Sequence, residues 1–155
     1  MSETVDITCP CGQCKVSVTE KPVACCICHC VHCRTNSQAL CVENVVFPGG
    51  KIVILKGSVV DSTRPDLQFV AHSCSGCGVR VFLTNKYRMD CFAIADVRRC
   101  YGEEAVPDFC KYTCHLSYGE RLIDVNDDKP KFLNFPLGLG GSGKMCQPDG
   151  TPIEE

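Results

Sequence analysis

The stretch Cys25–Cys33, "CCICHCVHC", concentrates side chains that can bind a metal ion, form disulfides or act as nucleophiles. Its CxCxxC spacing occurs at two places in the chain, at Cys9, Cys11 and Cys14 and again at Cys28, Cys30 and Cys33. A further pair, Cys74 and Cys77, lies in "CSGCG" directly before Gly78. Glycine there can adopt the positive φ that lets a CxxC turn close around a metal ion. The spacing therefore predicts zinc binding, because zinc in proteins is commonly held by thiolates and imidazoles.

The parity of extended backbone indicates which cysteines of the first cluster can share one ion. Residues two apart on a strand point to the same side, so Cys9 and Cys11 can bind together. Cys14 has the opposite parity, which it shares with Val16 and Val18. We therefore expect Cys14 to belong to a buried apolar stripe and not to the metal site.

Two more cysteines are needed to complete a closed site with Cys9 and Cys11, since a structural zinc ion takes four protein ligands. Cys74 and Cys77 can supply them, which predicts a four-sulfur site joining the beginning of the chain to its middle. Such a site is worth about 10–16 kcal/mol of folding free energy in small metal-dependent domains.

The cluster in the opening stretch has three cysteines without an obvious fourth ligand: Cys28, Cys30 and Cys33. Three protein ligands with one exchangeable position are typical of catalytic zinc sites. Three thiolates make the metal a weak Lewis acid, yet it can still bind and deprotonate an incoming thiol. We therefore expect a second zinc ion and a thiol substrate. The spacing leaves a structural alternative open, in which the fourth ligand is His29, His32, His72 or Cys26.

The remaining cysteines and His115 are assigned ordinary structural roles. Cys25 and Cys26 are expected on the faces of a strand. His115 in "CHLSY" is expected to be a hydrogen-bonded structural residue and not a catalyst. The other cysteines are treated as free thiols: Cys41, Cys91, Cys100, Cys110, Cys114 and Cys146.

Composition limits the class of protein in which these clusters lie. With 155 residues the chain suits one domain, and its 16 basic and 18 acidic residues form no long run of either sign. Broad binding to nucleic acid is therefore not expected. Sixteen cysteines would suit a secreted disulfide scaffold, but neither a secretory signal nor a membrane-spanning segment is recognisable. We expect a cytoplasmic zinc protein with no membrane partner.

Short runs of alternating and β-branched residues, bounded by turn formers, predict an all-β fold with a short helix near "RTNSQAL". The runs are "KVSVTE", "NVVFP", "KIVILKGSVV", "LQFVAHSC", "VRVFLTN", "CFAIADV" and "KYTCHLSY". Residues 1–137 are expected to form the zinc-binding domain, and the Gly- and Pro-rich residues 138–155 a flexible tail. Residues 138–144 fit GxxxxGK, but Met145 replaces the magnesium-binding hydroxyl residue, so nucleotide binding is not expected.

Four motifs in this order, "CPCG", "CHCVHCR", "CSGCG" and "HLSYGERLIDVNDDKPKF", resemble the family of glutathione-dependent formaldehyde-activating enzymes and centromere protein V. The resemblance covers about residues 7–135. It implies an Mss4-like tent of short antiparallel sheets organised around zinc. It also implies a structural zinc ion on the first CxC and the CxxCG, and a second, more labile zinc ion on the CHCxxC. The implied ligands are Cys9, Cys11, Cys74 and Cys77 for the first ion and Cys28, Cys30 and Cys33 for the second.

The activity implied by the resemblance is that of a carbon–sulfur lyase, which condenses glutathione with formaldehyde to S-hydroxymethylglutathione. The thiol would lose its proton at the second zinc ion, so that Cys28, Cys30 and Cys33 form the catalytic centre. Arg34 follows the third ligand directly and is expected to pair with a substrate carboxylate. A solvated or structurally paired arginine is the alternative at that position.

The chain also departs from the pattern of this family. Gln38 follows Ser37 where glycine is usual, Cys14 replaces an apolar residue, and no tryptophan precedes the Asp-x-x-Pro at Asp127. These differences affect the expected identity of the substrate thiol and of the second substrate more than the expected metal sites. The rival hypothesis is a non-catalytic, zinc-stabilised binding module, which would be expected to carry a basic or proline-rich extension. A redox or metal-buffering role for the surplus thiols is a third hypothesis.

Overall fold

The computed structural model describes residues 3–154, which divide into two compact units. The first unit takes in the residues up to Ala24 and Val45–Lys111, and the second takes in Cys25–Asn44 and the residues from Tyr112 on. The helices and strands in chain order are β1 (Thr4–Thr8), β2 (Lys15–Thr19), β3 (Ala24–Cys28), α1 (Val31–Ser37), β4 (Val42–Phe47), β5 (Val53–Lys56), β6 (Val59–Arg64), β7 (Phe69–Cys74), β8 (Arg80–Thr84), β9 (Asp90–Ala93), α2 (Ile94–Tyr101), β10 (Cys114–Leu116), β11 (Lys131–Phe132) and β12 (Met145–Cys146).

The first unit contains a three-stranded antiparallel sheet of order β1-β2-β5 and an antiparallel arrangement of order β9-β8-β7-β6. Alternation explains the pairing of β1 with β2, because Val5 and Ile7 are fully buried opposite Val18 and Val16. The buried face of this sheet thus forms part of the hydrophobic core of the unit. Cys14 is also fully buried, as expected for the apolar stripe.

The second unit arranges its strands in the order β12-β11-β10-β3, and β4 begins in this unit and ends in the first. β10 pairs in parallel with β3, where Leu116 lies opposite Cys28, and also in parallel with β11, where His115 lies opposite Lys131. The expectation of purely antiparallel sheets is therefore wrong for this unit. Parallel pairing is possible here because a long crossover joins β3 to β10.

The prediction of an all-β fold is confirmed in part, since the chain is mostly β but also contains the helices α1 and α2. The helix expected near "RTNSQAL" is α1, and it begins three residues earlier, at Val31. "CFAIADV" was expected to be a strand, but β9 ends at Ala93 and α2 follows. Ile94 and Val97 are three residues apart, so they lie on one face of α2 and are buried together.

The segment after residue 137 contributes β12, which pairs antiparallel with β11, and Cys146 in it is buried. In the GxxxxGK stretch, the backbone N–H groups of residues 140–144 all donate hydrogen bonds within the local structure, to the backbone or to Asn134 and Ser142. A phosphate-binding loop needs such groups free for its ligand. The stretch is therefore no phosphate cradle in this structure. The flexibility of residues 138–155 and the boundary at residue 137 stay predictions.

Candidate metal centres

The first unit brings four cysteine sulfurs together: Cys9, Cys11, Cys74 and Cys77. Their Sγ atoms all lie within 4.8 Å of one another, with Cys9 3.2 Å from Cys11 and 3.5 Å from Cys74. A tetrahedron with metal–sulfur bonds of about 2.3 Å has edges of about 3.8 Å, so the four sulfurs can surround one zinc ion. These are the four cysteines that the sequence predicts as ligands, although Cys9 and Cys11 lie in a turn after β1 and not on a strand. Their binding of a metal ion stays a prediction.

Two tight turns position these sulfurs. After β1, the N–H of Gly12 donates to the carbonyl of Cys9 at 2.9 Å, and after β7 the N–H of Gly78 donates to the carbonyl of Cys74 at 2.8 Å. Gly12 and Gly78 both have φ of 77°, in the left-handed region that favours glycine. The first turn therefore brings Cys9 and Cys11 together, and the second turn brings Cys74 and Cys77 together.

Hydrogen bonds within the cluster already favour a thiolate. Burial raises the pKa of Cys9, but hydrogen bonds from the thiol of Cys11 and the N–H of Cys14 outweigh it and lower that pKa to about 6. Cys14 donates this N–H to Cys9 Sγ at 3.3 Å, whereas its own sulfur lies outside the group of four. Burial raises the pKa of the Cys14 thiol. Cys14 thus contacts the cluster through its backbone N–H and through a side-chain hydrogen bond with Cys74, and its exclusion from the ligand set stays a prediction.

The second unit brings three sulfurs together at the junction of β3 and α1: Cys28, Cys30 and Cys33. Cys28 ends β3, Cys30 is the N-cap of α1, and Cys33 lies in its first turn. The backbone N–H of Cys33 donates to Cys30 Sγ at 3.3 Å. Hydrogen bonds from the thiols of Cys28 and Cys33 lower the pKa of Cys30. The same hydrogen bonds raise the pKa of Cys28 and Cys33, because each thiol keeps the proton that it donates. One thiolate is therefore already favoured, and a bound cation would favour all three.

Within the described residues, no histidine, cysteine or carboxylate joins these three sulfurs at comparable distance. Both ring nitrogens of His72 are engaged, by Asp61 at 2.7 Å and Thr84 at 2.7 Å. His29 directs Nε2 toward His115 Nδ1 at 2.9 Å. A tetrahedral zinc ion bound here would therefore have three protein ligands, as in catalytic zinc sites.

A buried chain of hydrogen bonds adjoins this cluster, because His29 lies between Cys28 and Cys30. His115 Nε2 is 2.8 Å from Asp127 Oδ2, and its Nδ1 faces His29. An ionised Asp127 accepts from His115 Nε2–H, which leaves His115 Nδ1 to accept from His29 Nε2–H. In this arrangement, His29 and His115 each carry their ring proton on Nε2. Both histidines are fully buried, so these hydrogen bonds hold the backbone around the cluster in place.

Lys131 and two tyrosines complete the surroundings of this chain. Lys131 Nζ donates to Asp127 Oδ1 at 2.6 Å, and Tyr112 donates to Asp127 Oδ2 at 3.0 Å. The ring of Tyr118 packs edge-on against both histidines, with centroids 4.9 Å from His29 and 5.6 Å from His115. The structural role expected for His115 agrees with these contacts. The sequence does not single out Asp127 as the partner of His115 or Lys131 as the partner of Asp127, because residues 127–131 form no helix in which i, i+4 spacing would bring side chains together.

Two charged side chains are held close to Cys30 by backbone groups. Arg34, the predicted substrate-binding residue, donates from Nε to the carbonyl of His29 at 2.9 Å. Glu120 accepts at Oε1 from the N–H of Val31 at 3.4 Å. No pattern in the sequence singled out Glu120, because it approaches the cluster from a part of the chain 89 residues further on. The role of Arg34 in substrate binding stays a prediction.

None of the cysteines is disulfide-bonded within the part of the chain that the structure describes. Cys25 and Cys26 are buried residues of β3, where the sequence placed them. The other surplus thiols lie outside both groups of sulfurs: Cys41, Cys91, Cys100, Cys110, Cys114 and Cys146. The described chain also contains no helix with the length and apolar character needed to cross a lipid bilayer.

Comparison with known proteins connects these centres to a family. The sequence matches the model of glutathione-dependent formaldehyde-activating enzymes over residues 4–114. That match spans well over half of the chain, so the protein belongs to this family, and the resemblance seen in the motifs is confirmed. Curated protein sequences give no match. Among solved structures, a protein from Rhodobacter sphaeroides is 16% identical with a TM-score of 0.46, over 64% of this chain and 96% of its own.

Proposed function

We propose that this protein is a zinc-dependent carbon–sulfur lyase that joins glutathione to formaldehyde as S-hydroxymethylglutathione or acts on a related thiol adduct. The observation that carries the proposal is the three-sulfur group of Cys28, Cys30 and Cys33 at the junction of β3 and α1. Three close thiols in a member of this family suit a metal centre that accepts a substrate thiol.

The cysteines of this group bind the metal, and zinc held there would supply the positive charge that lowers the pKa of the glutathione thiol. The N–H of Cys33 stabilises negative charge on Cys30 Sγ. The His115–Asp127 chain holds the ring of His29 and thereby the backbone between two of the ligands. Arg34 binds a carboxylate of the substrate through its guanidinium.

The proposed reaction is an addition without net oxidation or reduction. The sulfur of glutathione attacks the carbon of formaldehyde, and a carbon–sulfur bond forms as the carbonyl π bond opens. The proton lost from sulfur ends on the former carbonyl oxygen, which becomes the hydroxyl group of the product. Because this addition is already easy in water, the expected rate enhancement is modest.

The four-sulfur group of the first unit has a different role in this proposal. Cys9, Cys11, Cys74 and Cys77 hold a structural zinc ion, which fits their closed four-sulfur arrangement. The proposal includes an Mss4-like fold, a cytoplasmic location and a small thiol as the partner, with no nucleic acid or membrane. The proposed cofactor is zinc, with two ions per chain.

Exchange NMR spectroscopy tests the proposed activity directly. Magnetisation transfer between formaldehyde hydrate and S-hydroxymethylglutathione reports the rate of adduct formation at equilibrium. The zinc-loaded protein is expected to accelerate this exchange, and Cys30→Ala is expected to return it to the spontaneous rate. Cys100→Ala, which removes an exposed thiol outside both groups, serves as the matched control and keeps the wild-type rate. A wild-type rate equal to that in buffer would favour the binding-module hypothesis.

A further inference from the structure

A carboxylate and a guanidinium are anchored on either side of Cys30 in the second unit. Glu120 Oε1 accepts from the N–H of Val31 at 3.4 Å, and Arg34 Nε donates to the carbonyl of His29 at 2.9 Å. His29 and Val31 are the two chain neighbours of Cys30, so both charges are tied to backbone within one residue of a proposed ligand. With successive Cα atoms 3.8 Å apart, the two anchoring residues are separated by less than about 8 Å.

Neither charge is neutralised by the protein itself. Within residues 3–154, Glu120 has no basic side chain at ion-pair distance, and Arg34 has no acidic one. The adjacent Arg121 is committed elsewhere, to Asp124 Oδ1 at 2.7 Å and to the carbonyl of Asp149 at 2.6 Å. Glu120 is also exposed, so a ligand can reach its carboxylate. The two charges are therefore available to a substrate.

An α-amino acid head group carries the complementary pair of charges, since its ammonium and carboxylate share one carbon atom. A carboxylate side chain accepts hydrogen bonds from the ammonium, and a guanidinium donates to the carboxylate in the planar geometry that suits it. Glutathione presents such a head group at its γ-glutamyl end. A simple thiol without a free amine lacks half of the match.

We propose that Glu120 is a specificity-determining residue that binds the γ-glutamyl ammonium of glutathione, while Arg34 binds the α-carboxylate of the same head group. This inference rests on the proposed function of the Cys28, Cys30 and Cys33 centre. It narrows the substrate class to thiols with a free α-amino acid group, in preference to thiols that are only negatively charged.

Isothermal titration calorimetry with glutathione and N-acetylglutathione tests this assignment, because acetylation removes the ammonium charge and leaves the thiol and both carboxylates. The titrations use the zinc-loaded wild type, Glu120→Gln and the control Glu104→Gln, which changes an exposed glutamate of the first unit. Glutamine at position 120 can still accept from the N–H of Val31. Acetylation is expected to weaken binding about tenfold or more in the wild type and the control. In Glu120→Gln the two thiols are expected to bind within about twofold of each other.

An equal effect of acetylation in the wild type and Glu120→Gln would overturn the assignment, and so would a failure of glutathione to bind at all. Exchange NMR measurements on the same samples separate this result from the proposed function. Discrimination in binding without faster adduct formation would leave the head-group assignment standing and refute the lyase. Faster adduct formation for both thiols without discrimination by Glu120 would do the reverse.

Discussion

The ion pair of Asp127 and Lys131 should contribute measurably to the stability of the second unit. The Lys131 side chain is 3% exposed, and its ammonium donates to Asp127 Oδ1 at 2.6 Å and to the carbonyls of Lys129 at 2.9 Å and Asp127 at 3.2 Å. Asp127→Asn keeps the shape of the side chain but leaves this ammonium without a counter-charge. Removing one partner of a buried ion pair costs about 3–5 kcal/mol. Because the Asp127 side chain is 19% exposed, we expect about 3 kcal/mol, at the lower end of that range.

Urea denaturation at pH 7, on samples matched for zinc content, measures this loss in the free energy of unfolding. Asp127→Asn combined with Lys131→Met is the matched control, since the double variant has no unpaired buried charge at this position. It is expected to be more stable than Asp127→Asn alone. A loss below about 1 kcal/mol for Asp127→Asn, or a double variant less stable than the single one, would show that the Lys131 ammonium does not depend on Asp127 for its counter-charge.

The pH dependence of the same pair supplies an independent check. Burial alone would raise the pKa of Asp127, but hydrogen bonds from Lys131 and His115 outweigh it and hold that pKa well below its usual range. A lowered pKa contributes stability above the unfolded value of about 3.9, and this contribution is lost as the pH falls below that value. The stability difference between wild type and Asp127→Asn should therefore shrink by about 1 kcal/mol between pH 5 and pH 3. A constant difference over this interval would contradict the assignment.

Three further predictions concern other parts of the structure. Tyr118→Phe should lower the free energy of unfolding by about 1–3 kcal/mol in urea, since the buried hydroxyl donates to Pro148 O at 2.6 Å and accepts from Val125 N–H at 2.9 Å; an effect below about 0.5 kcal/mol would contradict it. Cys14→Ala should keep its full zinc content by metal analysis, because the Cys14 sulfur lies outside the group of four, and loss of one equivalent would overturn that exclusion. Gly78→Ala should cost about 1–2 kcal/mol and weaken zinc retention by the four-sulfur group, because its φ is 77° although nothing crowds an added Cβ. Gly50→Ala is its control, with φ of 75° and similar space, and should lose stability without affecting zinc.

The cysteine groups were predictable because their assembly depends on local rules. Cys9 and Cys11 lie in a turn after β1 and not on a strand, and the glycines at positions 12 and 78 close the two turns that bring the CxC and the CxxC together. Zinc chemistry then demands four ligands, which joins two segments distant in sequence. The grouping of the CHCxxC sulfurs follows from the same spacing. Cys30 is also the N-cap of α1, which is a further local feature of this segment.

The remaining features depend on contacts that spacing does not encode. Helix α2 replaces the second half of an apparent strand because Ile94 and Val97 are buried together on its inner face. The parallel pairing of β10 brings His115 to His29 across 86 residues, and Glu120 reaches Val31 across 89. No periodicity within either segment indicates such a partner. The grouping of the cysteine sulfurs could therefore be predicted from the sequence, whereas the side chains that surround the second group could not.

The proposed function requires that this chain hold two zinc ions, one structural and one at a centre open to thiols. Its most direct test is metal analysis of the wild type and Cys30→Ala, purified under reducing conditions, with and without added glutathione. We predict two zinc ions per chain in the wild type and one in the variant, with glutathione changing the retention of the second ion only. One tightly held zinc ion in both proteins, unaffected by glutathione, would mean that Cys28, Cys30 and Cys33 hold no zinc ion.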